Sequence, residues 1–302
     1  MDAGPVATAR ARSPFPSPGA VLALLKPITW FPPMWAYLCG VVASGAALGE
    51  RAVPILLGVL LAGPLICGTS QAVNDWFDRE VDAINEPHRV IPSGRMPGTW
   101  GLRVAVLATL ASAALAAALG PWVFAAALVG LALAWAYSAP PLRLKRNGWW
   151  GNGAVGFAYE TIPWWTAAAA ALGTLPPTDL AVVAVLYGAG AHGIMTLNDF
   201  KAMEGDRRLG IASLPVQLGE DRAARLACAI MAAAQVGVVL VLWRIGATGH
   251  ALGVLGLTLA QAACMIRFLA KPAERAIWYS AIGVGLYVSG MMVAALALRG
   301  AA

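Results

Sequence analysis

The chain has 302 residues, of which 59% are hydrophobic and only 12% charged, with a formal net charge of +6. That composition excludes a soluble globular domain and points to a chain that crosses a membrane several times. Cys39, Cys67, Cys228 and Cys264 have no paired spacing, which excludes a zinc module and a disulfide framework and leaves them as small buried hydrophobes. The long Ala-, Leu-, Val- and Gly-rich runs lack the alternation of barrel strands, so the expected fold class is all-α.

Residues 1–25 are Pro-rich and basic without the apolar core of a signal peptide, and read as a flexible tail. Residues 26–302 then form a single transmembrane domain. Runs of roughly 20 apolar residues, enough to cross about 30 Å of hydrocarbon, fall at 28–48, 53–73, 101–119, 121–138, 150–172, 180–198, 223–244, 251–269 and 276–298. These predict nine transmembrane helices. Every Lys and Arg except Arg51, Arg244 and Arg299 then lies on one side, which the positive-inside rule makes cytoplasmic. Topology accounts for the net charge, and no nucleic-acid-binding face is expected.

The second span runs into "NDWFDREVD" at 74–82 and the sixth into "NDFKAMEGD" at 198–206. The copies match at Asn-Asp, at Glu80 and Glu204, and at Asp82 and Asp206. Four helices separate them, which predicts two pseudo-repeated four-helix halves in parallel, with the ninth helix an appendage. If the second helix continues past Asn74, residues 74, 78 and 82 share one face with Asp75 beside them. Carboxylates crowded in this way repel one another, and a divalent cation relieves the repulsion.

A solvated acidic loop would explain one such cluster; two copies, each beside Arg or Lys, favour an anion bridged through metal. Oxygen-only donors suit Mg2+, which binds one or two carboxylates and completes its shell with phosphate oxygens. The candidate ligands are Asn74, Asp75, Asp78, Asp82, Asp199, Glu204 and Asp206, and Arg79, Arg89, Lys201 and Arg207 can pair phosphate oxygens. A diphosphate with an apolar tail between the helices fits these groups. Its departure leaves an allylic cation for an acceptor, so the reaction class is prenyl transfer.

The motif N-D-x-x-D-x-x-x-D at Asn74, Asp75, Asp78 and Asp82, the second acidic segment, and "YSAPPLRLKRNGWWGN" at 137–152 resemble the UbiA superfamily of intramembrane prenyltransferases, over nearly the whole chain. "CGTSQAVNDWFDREVDAINEPHRVIPSGRM" together with "NDFKAMEGDRRLGIASLPVQLG" is similar to its chlorophyll and bacteriochlorophyll synthase branch. The resemblance implies Mg2+-dependent esterification of a (bacterio)chlorophyllide propionate with geranylgeranyl or phytyl diphosphate. It also implies a bacterial inner or intracytoplasmic photosynthetic membrane. By the same resemblance Asp78, Asp82, Asp199 and Asp206 are catalytic, with Asn74, Asp78 and Asp82 on one metal and Asp199 and Asp206 on another. Lys145 and Arg146 join Arg79, Arg89 and Lys201 around the diphosphate.

The second motif departs from D-x-x-x-D at Ala202, so Asp199 or Glu204 must supply the displaced ligand. A propionate, with a pKa of about 4–5, is ionised at neutral pH and needs no general base. Transfer to a homogentisate, hydroxybenzoate or haem-like acceptor is an alternative. So is an ion-coupled transporter, whose acids should lie near the midplane rather than at one face.

Glu160, in "GFAYETIPWW", falls in mid-span, where an ionisable group usually faces a cavity or a partner. Tyr137 and Ser138 are further pocket candidates. His88 reads as a phosphate contact or a solvated side chain, and His192 as a packed helix residue. Trp149, Trp150, Trp164 and Trp165 read as an interfacial belt.

Overall fold

The computed structural model describes residues 14–46, 49 and 52–299; the first thirteen residues of the expected tail, and Arg51, lie outside them. The described chain is all-helical, with no strand. A short helix α1 (Pro18–Leu25) precedes α2 (Phe31–Ala43), α3 (Ala52–Asn85), α4 (Trp100–Leu119), α5 (Pro121–Ser138) and α6 (Gly148–Gly156). A π turn, Phe157–Thr161, joins α6 to α7 (Ile162–Leu172). Then come α8 (Thr178–Asp199), the short α9 (Met203–Leu209) and α10 (Leu214–Leu218), and α11 (Glu220–Arg244), α12 (Thr248–Leu269) and α13 (Pro272–Arg299). Pro18 and Pro121 sit in the first turns of their helices, where a missing N–H costs nothing.

Seven of the described helices, α3, α4, α5, α8, α11, α12 and α13, are long and apolar enough to cross a membrane. The expected spans at 28–48 and 150–172 do not meet that measure. The first contains only the 13 residues of α2, and the second, helical through a π turn as α3 is, is not apolar enough, carrying Asn152 and Glu160.

Three expectations are overturned here. The tail does not extend to residue 25: α1 is capped by Ser17, whose hydroxyl accepts from the Ala20 N–H at 3.2 Å. Its Ala20 and Leu24 are buried with Val73 of α3 and Val90 and Met96 of the following loop, and it is this burial that holds so short a helix. The last helix is no appendage. It packs on α2, α8, α11 and α12 and buries Tyr279 and Tyr287. Trp164 is not interfacial either: it is fully buried, stacked on Tyr187 at 5.6 Å, which in turn meets Tyr287 edge-on at 5.3 Å. Trp149 and Trp150 remain exposed.

The main core joins α2, α7, α8, α11, α12 and α13. Glycines permit its closest backbone approaches: a Cβ at Gly156 would lie 2.5 Å from the Gly188 carbonyl oxygen, and one at Gly193 would lie 2.6 Å from that of Ala227. In α3 the π turn Leu61–Cys67 contains Pro64; its ring removes one helical N–H, and the widened turn absorbs the loss. The helix resumes at Gly68 and carries the first acidic motif to Asn85. Gly156→Ala should lower the melting temperature of the detergent-solubilised protein by several degrees, an overpacking cost of about 1–3 kcal/mol. Gly256→Ala, where an added Cβ meets nothing within 4 Å, should leave it unchanged.

Candidate active site

As the spacing anticipates, α3 stays helical through the first motif. The Asn74 amide donates to Asp78 Oδ2 at 3.1 Å and to the Ser138 hydroxyl of α5 at 3.2 Å. Asp78 is paired with Lys145 and, at 3.5 Å, with Arg143. Asp82 is paired with Arg89 at 3.0 Å, and Arg89 also holds Glu86. One residue along a helix is a rotation of about 100°, which turns Asp75 away from Asn74 but leaves it two turns before Asp82 on nearly the same side, where it is 2% exposed. There Lys26 reaches it at 2.6 Å and Arg89 at 3.5 Å.

Lys26 and Arg143 are the two non-glycine residues with positive φ among those described, at 48° and 44°. Both hold cations against motif carboxylates from conformations that L-residues rarely adopt. In the sequence both stand at the edges of expected spans, where topology alone accounts for a basic residue. Arg79, by contrast, is not brought to the acids. It donates to the Trp76 carbonyl at 2.8 Å, lies over that indole at 4.4 Å and pairs with exposed Glu80.

The second motif does not repeat the geometry of the first. Helix α8 ends at Asp199, where Phe200 tucks against Phe268 of α12 at 6.0 Å, and the chain becomes helical again only at Met203. Asp199 and Asp206 therefore stand on different elements. Asn152 of α6 donates to Asp199 Oδ2 at 2.9 Å, a partner that the sequence reading missed inside a segment it had singled out. Glu204 is exposed and paired with Arg208, so it does not join Asp199. Lys201, Arg146 and Arg207 are exposed along these loops, as is His88. Two backbone bonds, Gly148 N–H to the Ala212 carbonyl at 2.8 Å and Ala212 N–H to the Arg146 carbonyl at 2.9 Å, tie the Lys145 loop to the segment after Asp206. Burial pulls the Lys145 ammonium pKa down against the attraction of Asp78, and pushes the Asp206 carboxyl up.

Beneath the acids lies a cavity of about 430 Å³ that touches both motifs through Asn74 and Asn198. Tyr137, Tyr159, Gln71 and Glu160 line its polar wall, and Phe31, Trp35, Val284 and Val288 its apolar side between α2 and α13. The two π turns meet at this wall: the Tyr159 hydroxyl contacts Cys67 Sγ at 3.3 Å and accepts from the Gln71 amide at 3.1 Å. Gln71 lies one turn before Asn74, a spacing that marks it as a neighbour on the same face. His192 packs near Trp149 at 5.9 Å.

Among the described residues no three His, Cys, Asp or Glu side chains converge closely enough to hold a metal by themselves. The donors are nevertheless oxygens, and each motif offers one or two carboxylates close to an amide. This is the share of the shell that Mg2+ takes from protein when phosphate oxygens and water supply the rest. The donor set fits Mg2+ without a preformed cage.

The model of the UbiA prenyltransferase family matches residues 29–298. The Bacteriochlorophyll synthase 33 kDa chain of Rhodobacter capsulatus is 53% identical over 292 residues, covering 96% of each chain. Its counterpart in Cereibacter sphaeroides is 55% identical over 287 residues, covering 94% of each. The structure of a UbiA homolog from Archaeoglobus fulgidus bound to GPP and Mg2+ superposes with a TM-score of 0.69 at 19% identity, covering 89% of this chain and 99% of that one. A family match across nearly the entire helical bundle, with relatives above half identity over almost their full length, leaves one assignment: the chain belongs to the UbiA prenyltransferase family.

Proposed function

We propose that this chain esterifies the propionate of a (bacterio)chlorophyllide with geranylgeranyl or phytyl diphosphate, releasing diphosphate, as the names of its Rhodobacter and Cereibacter relatives suggest. The observation that carries the reading is the single cavity that touches the first residues of both acidic motifs and continues into apolar helix faces. A diphosphate belongs at the charged end and its hydrocarbon tail below. The acids stand in the C-terminal half of α3, at the end of α8 and in the short α9, which favours this chemistry over a midplane ion site.

Asn74, Asp78 and Asp82 would hold one Mg2+, and Asp199 and Asp206 the other. Mg2+ bound there would neutralise the diphosphate and stabilise the charge that develops on it as it leaves. Lys145, Arg143 and Arg89, now on the motif carboxylates, are placed to turn to phosphate oxygens, and exposed Lys201, Arg146 and Arg207 border the same end. Asp75, enclosed by Lys26 and Arg89, positions the motif helix and is not a ligand in this reading. Tyr137 and Tyr159 line the wall beside the reacting carbon and exclude water from the allylic cation. A carboxylate oxygen of the acceptor forms the new C–O bond to the allylic carbon as the bond to diphosphate breaks, and no proton has to be moved.

The short α2 and the helical stretch at 148–172 complete nine crossings in this reading, in two four-helix halves followed by α13, with the acidic loops cytoplasmic. In proteoliposomes, His88→Cys should then label from the cytoplasmic side and Thr174→Cys from the other; the reverse pattern would overturn the orientation. Asp78→Asn should reduce turnover at least roughly 100-fold, the scale seen when one group that stabilises developing charge is removed. Glu80→Gln, on an exposed side chain, should stay near wild type, and chelation of divalent cations should abolish activity until Mg2+ is returned. The purified protein should esterify bacteriochlorophyllide with geranylgeranyl diphosphate, leave its propionate methyl ester unreacted, and not prenylate homogentisate or 4-hydroxybenzoate. Prenylation of a phenolic ring without ester formation would leave the family assignment standing and remove the chlorin.

A further inference from the structure

Glu160 is only 6% exposed, lies in the π turn between α6 and α7, and lines the central cavity. One of its carboxyl oxygens, Oε2, has no hydrogen-bond partner, and no Lys, Arg or His pairs with it among the described residues. Two neighbouring hydroxyls donate elsewhere, Tyr287 to the Tyr187 carbonyl at 2.8 Å and Thr161 to the Ala184 carbonyl at 3.1 Å, while the Tyr159 hydroxyl accepts from the Gln71 amide and the Cys67 thiol. A buried polar oxygen left unsatisfied costs about 1–3 kcal/mol, so such a group in a cavity wall signals a partner that arrives with the ligand.

Its depth narrows the choice. Glu160 follows Asn152, the partner of Asp199, by eight residues along one helical stretch, which places it about 12 Å below the plane of the acids at 1.5 Å per residue. An isoprenoid tail at that depth offers no hydrogen bond. A phenolic acceptor anchored at the reacting carbon does not extend so far. A macrocycle whose propionate meets the allylic carbon does, and a (bacterio)chlorin carries carbonyl groups elsewhere on its rim.

Resting on the proposed function, we infer that the Glu160 carboxyl, in its protonated form, donates a hydrogen bond to a ring-edge carbonyl of the macrocyclic acceptor, remote from the reacting propionate, and so selects the acceptor. It acts by binding and positioning, not on the reacting atoms.

The experiment is a cycle of two acceptors against three proteins, with melting temperature recorded for each protein. The acceptors are bacteriochlorophyllide and a derivative in which a ring-edge carbonyl is replaced by a hydrocarbon substituent; the proteins are wild type, Glu160→Gln and Glu160→Leu. Glu160→Leu should raise the KM for bacteriochlorophyllide about tenfold, the equivalent of one lost hydrogen bond, while the KM for geranylgeranyl diphosphate stays unchanged. Glu160→Gln, which retains hydrogen-bonding capacity, should restore most of the acceptor affinity. The carbonyl-free acceptor should bind wild type and Glu160→Leu alike. Equal losses for donor and acceptor, or undiminished preference for the carbonyl in Glu160→Leu, would overturn the inference while the esterification reading stands. If Glu160→Leu does not fold, Glu160→Gln decides: a loss of acceptor affinity as large as the loss of the carbonyl itself overturns it. A wild type that forms no chlorin ester overturns the proposed function, and this inference with it.

Discussion

Everything at the charged end of this bundle depends on keeping several carboxylates close together at a membrane face. Two like charges about 4 Å apart repel by roughly 4 kcal/mol at an effective dielectric of 20, comparable to a large part of a protein's net stability. The chain meets this with cations drawn from separate segments: Lys26 from the turn before α2, Arg89 from the loop after α3, and Arg143 and Lys145 from the loop after α5. Those pairings fix where α1 and both loops sit, because each loop is anchored through its cation. The left-handed backbone at Lys26 and Arg143 shows that this anchoring is strong enough to hold local strain.

In the proposed reaction the same pairings would make the charged end adaptable. Cations that neutralise carboxylates here would turn to phosphate oxygens once Mg2+ took the carboxylates, keeping the local charge near balance. The cavity next to this layer is lined by amides at Asn74, Asn198 and Gln71, by phenols at Tyr137 and Tyr159, and by an apolar side formed by α2 and α13. Such a lining would suit an amphiphile with a charged head and a hydrocarbon tail. Glu160 is the exception, and an isolated polar group at that depth in a membrane bundle is expensive enough to imply a use.

The two halves of the chain show how far a sequence repeat carries into three dimensions. Matching Asn-Asp pairs bring Asn74 and Asn198 to one cavity, but the residues that follow diverge. The first motif remains helical, its side chains held by partners from several segments, while the second is bent away where Phe200 enters the core beside Phe268. Ala202, which breaks the spacing of the second motif, lies in that bend. A motif repeated in sequence thus becomes a pair of unlike sites, one on a single helix and one divided between two.

By itself, the sequence determined the all-helical class, most spans, the shared face of the acids and the family, because these follow from hydrophobic run length, charge asymmetry and residue spacing along one helix. Asn74, Asp78 and Asp82 were legible for that reason, and Glu160, an ionisable group within an apolar run, lines the cavity as expected. Only the tertiary structure decided that Asp75 faces Lys26, that Arg79 turns back onto Trp76, that Asn152 supports Asp199 while Glu204 leaves for Arg208, and that α13 closes the bundle. Each of those is a contact between segments far apart in the chain, or a choice among rotamers of a long side chain. Local periodicity carries information about which face a residue occupies, not about which distant group waits there.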